Sequence, residues 1–575
     1  MYKDGIAVIG IALKLPSANN LQEFEEVLLN KQCCIGKISE ERKQMADTCR
    51  KILGHKDIGY VEGAFLEDVT AFEHPFFNLS PLEATLMDIN QRLFLETAID
   101  AIEDAGYGAE RLKGTNTGVY YVGNGNMDYL EIIRKIHPEF ESIGELGNLP
   151  AFAAGRLAFR YDLKGPAIFV NTLCSSSLVA LNMACKAIGE GECDMAIVGG
   201  TRVEILPAKK EAIGIESKDA RIRAFSDDAN GTVGGEGSIV MLVKKLSIAK
   251  KEHDNIYAVI KGGAVNQDGH CSSLTAPNSI AQAEVIEKAW ENAQINPLEI
   301  GYIEAHGTGT KLGDPIEIAG LTNAYSKYEH QNQFCYIGSV KTNYGHLDCI
   351  SGLLGVIKVI LSLKNKKIYP QLFFSTQNRY IDFANSPVRV CTDTINWSDV
   401  KSSRICGVSS FGFAGTNCHM IIQEYDENVR EYVAGTETLH FLCLSAESYD
   451  KLLILVKNYQ QLIKAHNDID IWNLCYSANI RNSCYKERII FGAKDIQQLY
   501  NKMKEFTSGN QIENYMNKEY YRQNFDSGTE KLISDYIDGK DVNFKEFYSG
   551  KSYDAISVPL YPFLRKKLWI SNLMA

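Results

Sequence analysis

The chain has 575 residues, 45% hydrophobic and 23% charged, which is a soluble globular composition too long for one ordinary domain. Its formal net charge is −11 and Lys and Arg do not cluster, which argues against a nucleic-acid surface. The 15 cysteines make no CxxC pair and no Cys/His group at zinc-ligand spacing, so neither a disulfide framework nor a metal site is expected.

Met1–Gly10 lacks the pattern of a secretory signal, and no run approaches the roughly 18 apolar residues of a membrane helix. A cytoplasmic protein with reduced thiols, no membrane partner and no nucleic-acid partner is the expectation. Apolar β-rich runs at 6–9, 117–122, 195–198 and 239–243 predict buried strands. Helical periodicity over 83–103, 177–188, 280–294 and 351–363 alternates with them, which predicts an α/β fold around a covered sheet. After a polar stretch at 423–428, the run 441–445 reads as a strand and 447–464 as a helix, so a small α/β unit is expected over 440–506. The segment 507–530 is polar, and the apolar, proline-containing tail 556–570 is expected to pack back onto the protein.

Four stretches carry candidate chemistry. In Asn171-Thr-Leu-Cys-Ser-Ser-Ser177 an extended run enters a helix at Cys174. The helix dipole and free N–H groups there favour a thiolate and an oxyanion, although a buried structural cysteine is the plainer alternative. His306 stands in His-Gly-Thr-Gly-Thr310, followed by Glu317, and His346 in Lys341-Thr-Asn-Tyr-Gly-His346. Either histidine alone reads as structural; two in glycine-rich turns after apolar strands are harder to dismiss. Gly407–Asn417 lacks the spacing of a phosphate cradle. It reads as a turn between strands, or as a flap beside an active site with Phe411 or Phe413 as the moving bulk.

Together these motifs resemble the Cys-His-His triad of a modular polyketide synthase ketosynthase. The resemblance extends through Met87–Arg92, Asp227–Gly237, Val265–Gly269, Leu274–Asn278 and Asn385–Pro387, covering about residues 5–425. It implies a thiolase fold, two similar α/β halves stacked in five layers (αβαβα), with a small α/β flanking subdomain. The implied boundaries are 1–425 for the ketosynthase, 426–530 for the subdomain and linker, and 531–575 for a segment wrapping back.

By that resemblance, Cys174 takes an acyl chain from an upstream acyl carrier protein and extends it by decarboxylative condensation with a malonyl-type unit. His306 and His346 jointly stabilise the enolate, and Lys341 holds the local charge, with Glu317 in support. The N–H groups of Cys174 and Phe413 form the oxyanion hole. Thr308 and Thr310 hold the phosphopantetheine arm of the carrier protein, the protein itself binding no cofactor tightly. A homodimer is implied. The region after 425 is similar to trans-acyltransferase assembly lines, in which a separate acyltransferase supplies the extender to the intramodular carrier protein. No GHSxG motif occurs, and only about 50 residues separate Phe506 from Pro559, so one ketosynthase excised with its flanking subdomain is expected.

Asn171-Thr-Leu173 stands where the family usually has Asp-Thr-Ala, and Ala414, Tyr344 and Asp348 also depart from its pattern. Leu173 replaces the usual alanine and is an acyl-pocket candidate; Ala414 replaces a glycine in the gating loop and is expected to stiffen it. The alternatives are a non-elongating ketosynthase that only passes acyl chains on, and a branching one. A silent partner is disfavoured by Cys174, and a coenzyme A thiolase by the arrangement of its motifs.

Overall fold

The structure is a computed structural model that describes residues 4–56, 59–125, 127–207, 214–328, 331–401, 403–425, 439–466, 468–509, 515–516, 518–519, 525–549 and 556–570. Eleven strands form one mixed sheet: β1 (Ile6–Lys14), β2 (Thr117–Val122), β3 (Ala167–Val170), β4 (Met195–Arg202), β5 (Gly237–Lys245), β6 (Ala258–Gln267), β7 (Ile300–Glu304), β8 (Cys335–Gly338), β9 (Val388–Val390), β10 (Ile405–Phe411) and β11 (Thr416–Gln423). Their order is β9-β8-β7-β10-β11-β6-β1-β5-β4-β2-β3. Most are buried along their whole length, which is why they read as continuous apolar runs rather than alternating ones.

The sheet has a seam where β1 meets β6 only through Ile6–Val8 against Ala258–Ile260. On either side the five strands nearest the seam repeat one plan. Counted in chain order within its half, the first pairs antiparallel with the fifth, and the fifth antiparallel with the fourth. The second then lies parallel between the fourth and the third. The two halves are therefore duplicates in topology.

Helices complete the layers. On the outside of the first half lie α1 (Ile89–Asp104) against β1, β4 and β5, and α2 (Ala151–Arg160) against β2 and β3. On the outside of the second lie α4 (Ser279–Ala293) and α5 (Gly313–Tyr325). Between the halves run α3 (Ser176–Glu190) and α6 (Ser351–Lys364), touching each other and strands of both. Both are apolar on nearly every face, as a helix covered on all sides must be. This is the five-layered thiolase fold. The helix expected over 83–103 is interrupted: Met87 is extended, and Asp88 starts α1 by accepting the Asn90 N–H at 3.1 Å.

The small α/β unit pairs β12 (His440–Ala446) with β13 (Glu487–Ala493), packs α7 (Tyr449–Ala465) against α9 (Ile496–Thr507), and sets α8 (Ile471–Ile480) against β12. The linker expected at 423–428 lies outside the described residues from 426 onward. Residue 530, expected as a boundary, falls inside α10 (Ser527–Ile537), because Ile533 and Tyr536 complete the small unit's core around Phe441, Trp472 and Phe544. The described tail 556–570 runs back over the first half. Leu568 donates to Thr70 O at 3.0 Å and accepts from Arg92 at 2.7 Å, while Trp569 packs on Tyr129.

Candidate active site

Cys174 stands at the N-terminal entry to α3. Its three following serines, all fully buried, build the turn that presents it. Ser175 Oγ donates to Thr172 O (3.0 Å), and Ser176 Oγ donates to Leu173 O (2.6 Å) while accepting the Thr172 N–H (2.8 Å). Ser177 Oγ accepts the N–H of Leu353, in the first turn of α6, at 3.2 Å. From the opposite side Ser410 Oγ holds Cys174 O at 2.8 Å. The turn forces Leu173 to φ +58°, a region that costs a branched side chain about 1–3 kcal/mol and persists only where the surroundings impose it.

The loop 412–415 is the tight turn between β10 and β11, which is the plainer of its two readings. Gly412 lies so close to the nucleophile turn that a Cβ would fall 2.6 Å from Thr172 O, and Gly415 carries the left-handed φ of +84°. Ala414 is outside the left-handed region, so its Cβ brings no backbone strain in this conformation. The backbone N–H groups of Phe413 and Cys174 act on the Cys174 thiol in the sense that favours its charged form. The Phe411 ring lies 5.8 Å from that of His306, centre to centre.

His346 enters from the turn before α6, its backbone stitched to Val233 O (2.6 Å) and to the Gly235 N–H (3.0 Å). Its Nδ1 accepts the Asp348 N–H at 3.1 Å and lies 2.8 Å from Ser351 Oγ. Because a backbone N–H can only donate, the proton of the neutral ring is assigned to Nε2. His306, at the end of β7, meets His346 edge to face at 5.5 Å between ring centres. Cys174, His346 and Asp348 offer ligand-type atoms within 4.8 Å of one another, but Asp348 is already paired with Arg202 at 2.5 Å.

Glu317 fixes the His306 loop. Its two oxygens accept the N–H groups of His306 and Gly307, each at 2.8 Å, so it acts on Lys341 through space rather than as a contact pair. Asp314 does the same for Phe225 (2.7 Å) and Gly309 (3.1 Å). Thr308 and Thr310 are half-buried with hydroxyls 3.3 Å apart, and Thr310 also accepts the Gly313 N–H at 3.1 Å.

The electrostatics correct one expectation. Burial, reinforced by Asp348, pushes the Cys174 thiol up to about 11, against the pull of Lys341 and the two N–H groups. The resting group is a thiol, and the helix N-terminus does not by itself make it a thiolate. Burial, then Lys341, pushes His346 down to about 3 and His306 well below its ordinary value, so both rings are neutral donors. Lys341 is itself lowered by burial and supported most by Glu304, then by Glu317.

The chain matches the sequence models of the β-ketoacyl synthase N-terminal domain over residues 3–249, its C-terminal domain over 257–375, and the ketoacyl-synthetase C-terminal extension over 378–490. The ketosynthase from module 6 of the bacillaene synthase of Bacillus subtilis 168 superposes with a TM-score of 0.82 at 31% identity, covering 99% of this chain and 100% of that one. The chain belongs to the β-ketoacyl synthase family. Ketosynthase twelve from the bacillaene polyketide synthase in Bacillus amyloliquefaciens superposes with a TM-score of 0.85, again at 31% identity, covering 99% of this chain and 100% of that one. Polyketide synthase PksN of Bacillus subtilis strain 168 is 35% identical over 99% of this chain, which spans 11% of PksN. This ketosynthase is of the polyketide synthase kind, an acyltransferase that forms carbon–carbon bonds.

The sequence motifs singled out Cys174, His306 and His346, which the fold brings together. The roles of Ser177, Ser410 and Asp314 were missed because each bonds backbone brought near only by the fold, and those of Ser175, Ser176 and Ser351 because they depend on how the local turns are folded. A serine run flanking a nucleophile was the one available signal.

Proposed function

We propose that this ketosynthase elongates, with Cys174 as the acyl carrier and His306 and His346 as the decarboxylation pair. The observation that carries the reading is the meeting of two neutral imidazoles at 5.5 Å beside the nucleophile. In the first step the Cys174 sulfur attacks the thioester carbonyl of an acyl chain on the phosphopantetheine arm of a carrier protein. The N–H groups of Cys174 and Phe413 stabilise the tetrahedral oxyanion. Collapse breaks the bond to the pantetheine sulfur, which leaves with the thiol proton.

In the second step the extender, malonyl-type on its own carrier protein, loses its carboxylate as CO2. The electron pair of the broken C–C bond moves into an enolate whose oxygen accepts hydrogen bonds from His346 Nε2–H and an N–H of His306. The enolate carbon attacks the acyl carbonyl on Cys174, the same oxyanion hole is reused, and the sulfur leaves as a thiolate that takes a proton from solvent. Thr308 and Thr310, half-exposed beside His306, suit the polar amides of the pantetheine arm, and Lys341 balances the negative charge that develops.

A separate acyltransferase loading the extender is supported by the short stretch between α9 and the tail, with no GHSxG motif. A homodimer is supported by β3, an edge strand with half-exposed faces, and by Leu149, Phe152 and Phe159 exposed beside it. Leu173, 40% exposed, remains the acyl-pocket candidate.

The test follows the intact mass of Cys174 with a panel of acyl thioesters and then adds malonyl-carrier protein. Acyl-enzyme that converts to β-ketoacyl-carrier protein supports elongation; acyl-enzyme that returns chains to a carrier without CO2 release contradicts it in favour of transfer alone.

A further inference from the structure

Glu304 ends β7 two residues before His306 and is only 2% exposed. Oε1 accepts the Val340 N–H at 2.6 Å, and Oε2 accepts the Tyr302 hydroxyl at 2.5 Å. Oε2 also lies 3.0 Å from Nζ of Lys358, a fully buried residue of α6 whose ammonium sits 5.4 Å from the centre of the Tyr302 ring. The helix leaves room for this carboxylate at Gly355, where a Cβ would stand 3.0 Å from Glu304 Cγ.

Val340 is the residue before Lys341 and caps the short helix Lys341–Tyr344. A bond to its N–H therefore fixes the backbone from which the Lys341 side chain departs. Burying an ion pair such as Glu304–Lys358 gains little stability over a well-packed apolar pair, so stability alone does not account for it. The titratable groups facing Lys341 are Glu304, Glu317, Asp314 and Cys174, which favour its ammonium when negative, and the His306 and His346 rings, which are neutral. Burial pushes Glu317 and Asp314 up to about 7, so both lose charge as the pH falls through neutrality.

We infer that Glu304, held by Tyr302 and Lys358, is a positioning residue for condensation: it sets the Val340–Lys341 backbone and sets the negative charge of its carboxylate against the Lys341 ammonium. Loss of that charge lets Lys341 shed its proton at lower pH and weakens its help to the enolate, while acylation of Cys174, which needs only the oxyanion hole, continues. The inference rests on the elongating reading above.

The experiment combines Glu304→Gln with Lys358→Met, so that no unpaired ammonium is left buried. CO2 release from malonyl-carrier protein and acylation of Cys174 are each followed from pH 6 to 9, in the otherwise native enzyme and with Lys341→Met added. The alkaline limb of CO2 release is expected to move down by about one pH unit, which lowers the rate at pH 8.5 about tenfold. Acylation is expected to stay within about threefold, Glu304→Asp alone to recover the limb, and the double change to alter CO2 release less than about twofold once Lys341 is Met. If Met at 358 prevents folding, Lys358→Gln provides the same comparison. A folded variant with the native limb, or a full tenfold loss in the Lys341→Met enzyme, overturns the role given to Glu304. A native enzyme that acylates but releases no CO2 instead overturns the elongating reading, and is told apart because it fails before any substitution is made.

Discussion

Ser177 Oγ receives the backbone N–H of Leu353 at 3.2 Å, tying the N-terminal end of α3 to that of α6. Those are the two ends at which Cys174 and His346 stand, one from each half of the duplicated fold. The distance between nucleophile and imidazole is thus set by a hydrogen bond between the halves, not by either half alone.

Ser177→Ala should therefore leave the Leu353 N–H buried and unbonded, at a cost of about 1–3 kcal/mol in stability. Condensation should fall more than acylation, because only condensation needs both ends in register. Urea unfolding and the two partial rates, measured side by side, check this; equal losses in the two rates contradict it.

The strain at Leu173 makes a second comparison. Leu173→Gly removes the side chain and accepts φ +58° freely, whereas Leu173→Val places a β-branched residue where it is least tolerated. The expected result is near-native acylation with a broader range of acyl chains for the glycine variant, and acylation slower by about five- to a hundredfold for the valine variant, as about 1–3 kcal/mol of strain implies. Acyl-enzyme formation with linear and α-branched thioesters provides the measurement.

The buried histidines set an acid dependence. His346 and His419 are held down to about 3 and His306 well below its ordinary value, burial being the first cause for all three. Below about pH 6.5 the unfolded chain binds protons that the folded one refuses, so their contribution is complete above that pH. It is lost toward pH 3, at up to about 1.4 kcal/mol per unit for each ring. Glu317 and Asp314, raised to about 7, act in the opposite sense, favouring the folded state as the pH falls from 7 toward 4.5. His419 touches Ser409 and takes no part in the chemistry, so His419→Asn isolates one group. The stability difference between native and variant enzymes should shrink as the pH falls from 6.5 to 5; a constant difference contradicts the account. Neutral rings also predict no acid limb near pH 6.5 in CO2 release.

Much of this was legible in the chain because catalysis demands unusual local sequence. Glycine beside His306 and His346, and serine after Cys174, mark turns that ordinary strand-to-helix connections do not need. The continuous apolar runs of β1, β2, β4 and β5 gave away a sheet covered on both faces. The duplication was not visible as an internal repeat, since the halves share strand order rather than residues. Nor was the resting state of Cys174: a helix N-terminus can be read from sequence, but the burial that outweighs it cannot.

The most direct test of the central claim separates the two partial reactions in His306→Ala and His346→Ala. The account predicts that each variant still forms acyl-Cys174 at a rate within about tenfold of native, while CO2 release and β-ketoacyl product fall by about a hundredfold or more, the usual scale for a lost donor to a developing oxyanion. Native-like CO2 release in either variant, or acylation lost in step with it, would contradict the assignment of the two imidazoles to the enolate.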